Sequence, residues 1–331
     1  MSLKILGILP HSIGGRLTIS SIFDGFTLNG HDVTVIDLLK IPNSPKLLEL
    51  LKISDTHKSS GSITKLEIQT EQFDFIAGYG FSAIKFNEEN KLKLKTINYF
   101  SDVIETSAAG NGYDVYRKCL YEDGNYSFYW DKDLVEKSDY KNLFYMPHFV
   151  NTNIYKDLNL KKEYDVMFAG RLDTDYRLNS FVKLLKSLPE VKFAWFAIEK
   201  HFNDALSRVS DEDKFLIKNS YVGFIDNEKD MAEALNKSKI VINFNSQGLS
   251  SLNYRTFQTL ACQTLLISDE RKELDLFDNI IPTYNSLEDL PQKIKYWLSN
   301  DHSQITETCR KIIEKKHSSK LCTQYMLSLI K

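Results

Sequence analysis

The feature that most constrains the fold of this chain is a repeated alternation of short apolar runs with segments of helical apolar spacing. LKILGILP is followed by residues 16–29, whose apolar side chains recur at helical spacing and end before Gly30. HDVTVIDLL, FDFIAGYG at 73–80 and LKTINYFSD at 94–102 then read as strands. This order is typical of parallel α/β units, so we expect an α/β fold.

An aromatic-rich run, GNGYDVYRKCLYEDGNYSFYWDKD at 110–133, interrupts the alternation and has no clear period. We therefore expect irregular structure over these residues.

A domain boundary is indicated by FYMPHFVNTNIYKDLNLKKEYD at 144–165, which combines a proline, asparagines and charged residues. After it the alternation starts again, with strand-like YDVMFAG, VKFAWFA, KIVINFN and QTLLISD and a helix-like LNYRTFQTLA. A chain of 331 residues also exceeds the usual size of one core. We expect two tandem Rossmann-like domains, 1–153 and 154–315, with a C-terminal helix at about 316–331 that packs back on the first.

Composition and charge exclude several functional classes. Lys+Arg number 42 and Asp+Glu 44, a net charge of −2 that gives no general attraction to nucleic acid. The four cysteines are widely spaced and form no zinc pattern, which suits a reducing compartment. No run approaches the length of a membrane span. We expect a cytoplasmic protein with no nucleic-acid partner, and the oligomeric state stays open.

Two arginines follow the strand that ends at Gly170. Arg171 comes directly after it, and Arg177 lies on the same loop or first helical turn. In parallel sheets the carboxyl ends of strands meet helix N-termini, where anions bind, so both cations are able to converge on one phosphate group. The alternative is a pair of solvated surface arginines, one of them bonded to Asp173 or Asp175.

A second anion site is indicated by NFNSQGLSSLNYRTFQTLACQTLLISD at 243–269. Ser250 or Ser251 is expected to cap the helix, whose first N–H groups would then be open to an anion. Arg255 and Gln258 lie three residues apart on that helix, where a diphosphate and its ribose could bind.

These motifs together resemble those of GT-B glycosyltransferases of the group 1 type, in the branch of spore-maturation and surface-polysaccharide enzymes. ILPHSIGG followed by NGHDVTVIDL resembles the first strand, glycine loop and second strand of that family. PHFVNTNIY resembles its linker, YDVMFAGRL…YR its "F-x-G-R…K/R", and RTFQTLACQTLLISD its "R-x-F-E-x-x-A-x-G-x-x-x-x-x-D". YVGFIDNEKDMAEALNKSKIVINFN resembles the segment whose first loop faces the nucleotide base.

The resemblance implies two Rossmann-like domains facing each other across a cleft, and it assigns roles to residues of this chain. The donor diphosphate is expected to contact Arg171, Arg177, Ser250, Ser251, Leu252, Asn253 and Arg255. Gly223, Phe224 and Gln258 are expected at the base and ribose, and Gly14 and Gly15 in the loop at the cleft.

Three positions depart from the family pattern. Gln258 stands where the family has the glutamate that binds the donor ribose, and Gln263 where it has a glycine. Ser250 replaces a residue that is acidic in many relatives. A neutral amide still bonds ribose hydroxyls, but without the strength that a charge adds.

The implied chemistry is departure of a nucleoside diphosphate, whose growing negative charge arginines and helix N–H groups would stabilise. No metal is then required and no cofactor is expected, although DKD at 131–133 and DTD at 173–175 also fit the "DxD" metal motif of the other glycosyltransferase fold. His11 or Asp102 is the candidate general base. Both arginines are expected to contribute little to folding stability.

The expected function is that of a hexosyltransferase-like enzyme, which moves a sugar from a UDP- or GDP-linked donor to a glycan, lipid-linked or protein acceptor in surface polysaccharide or glycoconjugate synthesis. The resemblance also allows peripheral membrane contact. The acceptor is expected at the 113–130 segment and the first-domain loops, because only the second half of the chain carries clustered candidates for phosphate binding. The alternative is a nucleotide-sugar-binding partner protein with weak or no turnover, which the departures at Gln258 and Gln263 suggest. A dinucleotide oxidoreductase is disfavoured because no strand is followed by G-x-G-x-x-G.

Overall fold

Two parallel six-stranded sheets with helices form the protein in a computed structural model, which describes residues 2–10, 13–37, 72–101, 118–244 and 250–330. The expected α/β class is confirmed. The strands of the first sheet are β1 (Lys4–Leu9), β2 (Asp32–Asp37), β3 (Phe75–Tyr79), β4 (Lys95–Phe100), β5 (Asn125–Tyr129) and β6 (Leu143–Tyr145). The first helices are α1 (Ile13–Leu28), α2 (Ser82–Glu89) and α3 (Lys132–Lys137), with a 3-10 turn at Lys118–Tyr121.

The second sheet is built from later residues. Its strands are β7 (Tyr164–Ala169), β8 (Phe193–Phe196), β9 (Tyr221–Gly223), β10 (Ser238–Ile242), β11 (Leu265–Asp269) and β12 (Thr283–Tyr284). The helices that follow β7 are α4 (Asp175–Ser187), α5 (Glu199–Ser207), α6 (Asp211–Ser220), α7 (Glu228–Asn236), α8 (Tyr254–Ala261), α9 (Leu290–Ser299) and α10 (Ser303–Lys316), with a 3-10 turn at Lys272–Phe277. The last helix is α11 (Ser319–Leu329).

The chain divides into two compact units. Unit 1 contains Met1–Pro147 and Ser319–Lys331, and unit 2 contains His148–Ser318. Unit 1 holds the sheet of order β2-β1-β3-β4-β5-β6, and unit 2 holds the sheet of order β12-β11-β10-β7-β8-β9. The divisions at 147/148 and 318/319 lie near the expected domain limits of 153/154 and 315/316.

The sheets take their strands from the apolar runs of the sequence. Ile5, Leu6 and Ile8 of β1 have no exposed surface, and neither do Val241 and Ile242 of β10. Strands covered by helices on both faces are apolar throughout, which explains why these runs are continuous rather than alternating. The glycine stop after α1 is also confirmed, because Gly30 has a φ of 81°, a left-handed value that glycine adopts without strain.

The prediction of irregular structure over the aromatic-rich run is wrong for its second part. Asn125–Tyr129 forms β5, which pairs with β4 on one side and β6 on the other. Its last four residues, from Tyr126 to Tyr129, are buried. A strand buried on both faces has no alternation to reveal it. Residues 110–117 of that run lie outside the described part of the chain.

Among the described residues, no helix is long and apolar enough to cross a membrane.

Candidate functional site

The strand order of unit 2 places a topological switch point between β7 and β10. From β7 the chain proceeds outward through β8 and β9, and then returns to β10 on the other side of β7 and continues through β11 to β12. In open parallel sheets, ligands bind outside the carboxyl ends of the strands at such a point, because the two neighbouring loops diverge there. The residues that follow β7 and β10 are therefore the candidate site of this unit.

Arg177 connects the two loops at the switch point. It lies in the first turn of α4, where its backbone N–H donates to the Thr174 hydroxyl at 3.2 Å. Its Nη2 donates to the Phe244 carbonyl, just beyond β10, at 2.7 Å, and its Nη1 donates to the Arg171 carbonyl, just beyond β7, at 3.3 Å. Its Nε is buried and has no hydrogen-bond partner within the described part of the chain, and burial lowers the pKa of the Arg177 guanidinium. Arg177 is thus a partly buried cation fixed by carbonyl groups.

Arg171 differs from Arg177 in exposure, but both contact the same carboxylate. The Arg171 side chain is 61% exposed, whereas that of Arg177 is 14% exposed. Asp173 lies between them, with one oxygen 3.4 Å from Arg171 Nε and the other 3.4 Å from Arg177 Nη1. Asp175 instead pairs with Arg208 at 2.6 Å. Two cations share one acid at the carboxyl end of β7.

The expectation that neither arginine matters for folding needs correction for Arg177. Its hydrogen bond to the Phe244 carbonyl is partly buried, so removing the side chain leaves a partly buried acceptor without its donor. Arg171 keeps the expected character of an exposed cation.

The segment that leads into α8 is arranged differently from the prediction. Asn253, not Ser250 or Ser251, is the N-cap, and its side chain accepts the Thr256 N–H. The Leu252 N–H donates to the Glu273 carboxylate at 2.6 Å, so this predicted anion donor is already bonded. Ser250 is half-buried and Ser251 is buried.

The first turn of α8 is fixed on the end of β10. The Asn243 side-chain amide donates to the Asn253 side chain at 3.3 Å and to the Thr256 hydroxyl at 3.0 Å. Asn243 precedes Phe244, whose carbonyl binds Arg177. Arg177 and the start of α8 are thus held by neighbouring residues of one strand end.

Arg255 and Gln258 are joined to each other within α8. Arg255 Nη1 donates to Gln258 Oε1 at 2.6 Å, and Gln258 Nε2 donates to the hydroxyl of Tyr155. Gln258 has no exposed surface, and both ends of its amide are bonded. In this structure the Gln258 amide is therefore not free to bond a ribose, and its oxygen accepts a hydrogen bond from Arg255 instead. Tyr155 was not singled out from the sequence; its position in the linker motif was the only signal.

The loop after β9 has the features expected at a nucleotide base. Gly223 has a φ of 138°, which side-chain-bearing residues rarely adopt, and nothing occupies the space where a Cβ would lie. Phe224, the next residue, is 44% exposed. An exposed aromatic ring is a suitable platform for stacking. The role of Gly223 and Phe224 stays a prediction.

The predicted first-domain residues are only partly described. Gly14 and Gly15 lie in the first turn of α1, which begins at Ile13, and not in a loop before it. His11 and Asp102, the candidate bases, lie outside the described residues.

The two DxD triplets are used in internal contacts. Asp131 is buried and caps α3, where its carboxylate accepts the Leu134 N–H at 2.9 Å. Asp173 and Asp175 contact arginines, as described above.

Another group of metal-ligating residues, Glu88, Cys119 and Glu122, brings its ligand atoms within 4.8 Å of one another in unit 1. Burial raises the pKa of the Cys119 thiol to about 12, and its Sγ donates to Glu88 at 3.2 Å. Only the thiolate is a good ligand.

Comparison with known proteins identifies the class. Residues 177–328 match the family model described as glycosyl transferase-like. A glycosyltransferase from Rickettsia africae ESF-5 has 17% identity and a TM-score of 0.65, with 100% of this chain and 98% of that chain covered. The Anabaena protein HepE in complex with UDP and glucose has 12% identity and a TM-score of 0.63, with 98% of each chain covered.

A third structure, an alpha-glucosyltransferase in complex with UDP-glucose and DNA containing an abasic site, has 14% identity and a TM-score of 0.66, with 100% of each chain covered. No curated protein sequence matches this chain.

The fold is therefore that of GT-B glycosyltransferases, as the sequence motifs indicate. Residues 177–328 match the glycosyl transferase-like family model, in agreement with the resemblance to the group 1 type. The spore-maturation branch stays a prediction.

Proposed function

We propose that this protein transfers a sugar from a nucleoside diphosphate sugar to a hydroxyl-bearing acceptor. The observation that carries the proposal is the position of Arg177 at the switch point, bonded to the carbonyl groups beyond both β7 and β10. Arg171 lies beside it and shares Asp173. A guanidinium matches the geometry of phosphate oxygens, and a fixed, partly buried one does not have to reorganise when charge develops on them.

The donor is proposed to be UDP-linked, with a GDP-linked donor as the second choice. Structures of the same fold contain UDP with glucose, or UDP-glucose. In this chain the diphosphate would meet Arg171 and Arg177, while the base would stack near Gly223 and Phe224. Arg255 would act from the start of α8. The acceptor is proposed to be a glycan, a lipid-linked saccharide or a protein in surface polysaccharide or glycoconjugate synthesis.

The proposed mechanism relies on stabilisation of the leaving group. As the glycosidic bond breaks, negative charge accumulates on the β-phosphate, and the two arginines stabilise it without a metal ion. His11 and Asp102 are the proposed bases for the acceptor hydroxyl. The helix start at Asn253 would add the N–H dipoles of α8 to this field.

The first experiment is a binding screen by calorimetry with UDP, GDP, uridine and a nicotinamide dinucleotide, followed by an assay of donor hydrolysis with UDP-sugars and GDP-sugars. We expect UDP to bind more tightly than uridine and one sugar donor to be hydrolysed. Binding without hydrolysis of any donor would support the alternative of a partner protein with little turnover. Binding of the nicotinamide dinucleotide alone would contradict both the transferase and the partner-protein proposals.

Arg171→Ala, Arg177→Ala and Arg177→Lys test the arginines. Each alanine variant is expected to lose roughly 2–4 kcal/mol of transition-state stabilisation in donor hydrolysis, the usual loss when one preorganised donor is removed. Arg177→Lys keeps the charge but loses the fork that binds two carbonyls, so its loss should be intermediate. Lys183→Ala is the matched control, because Lys183 lies on the same helix and pairs with Glu288 on the surface. Unchanged hydrolysis in Arg177→Ala would contradict the proposal.

A further inference from the structure

Arg255 is a cation for which the described residues provide no acidic partner. Among the residues that the structure describes, no carboxylate lies within salt-bridge distance of it, and its Nε is buried without a hydrogen-bond partner. Burial lowers the pKa of the Arg255 guanidinium, and the groups that act against this effect are Tyr155, Tyr254 and Cys262. All three are neutral in their ordinary protonated forms. A partly buried positive charge without a counter-ion is unfavourable, and an anion that binds beside it reduces this cost.

Gln258 fixes the position of that cation. Arginine only donates hydrogen bonds, so the Gln258 oxygen faces Arg255 and its NH₂ group faces the Tyr155 hydroxyl. Tyr155 has no exposed surface, and burial raises the pKa of its hydroxyl well above the usual range, so that the hydroxyl stays protonated. The amide therefore has one orientation, and it holds Arg255 without neutralising it.

The location of Arg255 connects this arrangement with the proposed donor site. It lies in the first turn of α8, which Asn243 fixes on the end of β10. The next residue after Asn243, Phe244, binds Arg177 through its carbonyl. Both arginines are thus anchored at the segment that follows β10.

We propose that Gln258 is a positioning residue for donor binding. Its amide is anchored on Tyr155 and holds the Arg255 guanidinium in place without neutralising it. The diphosphate of the donor then becomes the counter-ion of Arg255. This inference rests on the proposed function and assigns a consequence to the neutral residue at position 258. A carboxylate at this position would pair with Arg255 and reduce the charge available to the ligand.

The test measures the affinity of the intact protein for UDP, uridine and inorganic pyrophosphate by calorimetry, at low and high salt. In Gln258→Glu we expect the affinity for UDP and pyrophosphate to fall by about tenfold, because the new carboxylate neutralises Arg255. The affinity for uridine should not change, and the salt dependence of UDP binding should become shallower. Gln263→Glu is the matched control, since it adds the same charge beyond the other end of α8.

Tyr155→Phe is the second variant and introduces no charge. It removes the anchor of the Gln258 amide, so UDP affinity should fall by about threefold while uridine affinity stays the same. It also keeps the test decisive if Gln258→Glu folds poorly, which the melting temperature would reveal.

The outcomes separate the two proposals. If the unmodified protein binds UDP more tightly than uridine but neither variant changes that preference, the role of Gln258 is overturned and the proposed function stands. Tighter UDP binding in Gln258→Glu would overturn it as well. If the unmodified protein does not prefer UDP to uridine, the proposed function is wrong and this inference falls with it.

Discussion

The backbone of Gln263 is left-handed, with a φ of 53°, immediately after α8. The Thr264 N–H donates to the Thr259 carbonyl at 3.2 Å, and the Gln263 N–H donates to the Leu260 carbonyl at 3.2 Å. These two bonds define a Schellman motif, whose left-handed residue is usually glycine. The left-handed backbone explains why the family pattern has a glycine at this position. The replacement by Gln263 is therefore explained without any effect on donor binding.

Gln263→Gly is therefore expected to stabilise the protein. Glycine adopts the left-handed conformation without strain, so the free energy of unfolding should rise by about 1 kcal/mol. Urea denaturation at 25 °C measures this change, and Gln263→Ala, which keeps a Cβ, is the control. A glycine variant no more stable than the alanine variant would contradict the backbone explanation. UDP affinity should be the same in both.

Asp173 competes with the proposed ligand, because it contacts both arginines that would bind the diphosphate. Asp173→Asn removes its charge and is expected to raise the affinity for UDP by about fivefold, which corresponds to the usual free-energy contribution of one exposed ion pair. Calorimetry at low salt measures the effect. Asp175→Asn is the control, since Asp175 pairs with Arg208 instead. Weaker binding in Asp173→Asn would indicate that Asp173 orients the arginines rather than blocks them.

At this scale the sequence predicts which residues gather at the site better than it predicts their contacts. The positions of Arg171 and Arg177 beyond β7 follow from a strand that ends at a glycine. The cap of α8 does not, because three side chains suited to capping occur within four residues, at 250–253, and Glu273 takes the Leu252 N–H from a distant part of the chain. The contact of Gln258 with Tyr155 spans 103 residues and leaves no local pattern.

Among the elements, α1 and α11 of unit 1 lie close together at Gly25. A Cβ at this position would lie 2.4 Å from the Ser319 carbonyl oxygen and 2.6 Å from a Thr323 methyl carbon. The Asn29 side-chain amide donates to the Lys320 carbonyl at 2.7 Å and to the Thr323 hydroxyl at 2.9 Å. The absence of a side chain at Gly25 is what lets the two helices make these bonds.

Gly25→Ala is expected to destabilise unit 1. The added methyl group forces α1 and α11 apart, at a cost of about 1–3 kcal/mol, which exceeds the gain of roughly 1 kcal/mol from replacing a helical glycine. Denaturant unfolding measures the net change. Leu28→Ala, at a 39% exposed position of the same helix, is the control and should change stability less. A Gly25→Ala variant more stable than the original protein would show that the helices adjust without cost.

The elements themselves were largely predictable. β1, β7 and β10 have apolar runs bounded by polar or glycine residues, and these bounding residues indicate where each strand begins and ends. β5 escaped prediction because Asn125–Tyr129 mixes aromatic, serine and asparagine side chains, and only the neighbouring strands determine that it is buried. Gly14 and Gly15 were expected in a loop because the family resemblance implies a glycine loop there, whereas in this chain they lie in the first turn of α1.

For the molecule as a whole, two buried histidines predict that the folded protein loses stability in acid. Burial lowers the pKa of His148 to about 3, and burial, followed by the charge of Lys316, lowers that of His317 to about 4. Both are then neutral in the folded protein, while the unfolded chain binds protons near pH 6.5. Stability is therefore full above pH 6.5 and is lost as the pH falls toward 4. For His317 alone the loss is on the order of 3 kcal/mol.

His317→Phe tests this prediction. The His317 ring packs against Phe257 and Phe277 at centroid distances of 5.2 and 5.6 Å. Neither of its ring nitrogens has a hydrogen-bond partner among the residues that the structure describes, so a phenyl ring should be tolerated. We expect the variant to lose less stability than the original protein between pH 6.5 and 4, as measured by urea unfolding across that range. An equal slope in His317→Phe would assign the acid sensitivity elsewhere.

The membership of α11 in unit 1 has a consequence for the order of folding during synthesis. A ribosome makes the chain from its N-terminus, so all of His148–Ser318 leaves the exit tunnel before Ser319–Leu329 does. Unit 2 has every one of its strands and helices at that moment, whereas unit 1 still lacks the helix that covers Gly25. Domains commonly complete folding in the order of their synthesis. Here the earlier unit becomes complete only when α11 has been synthesised, after every residue of the later unit.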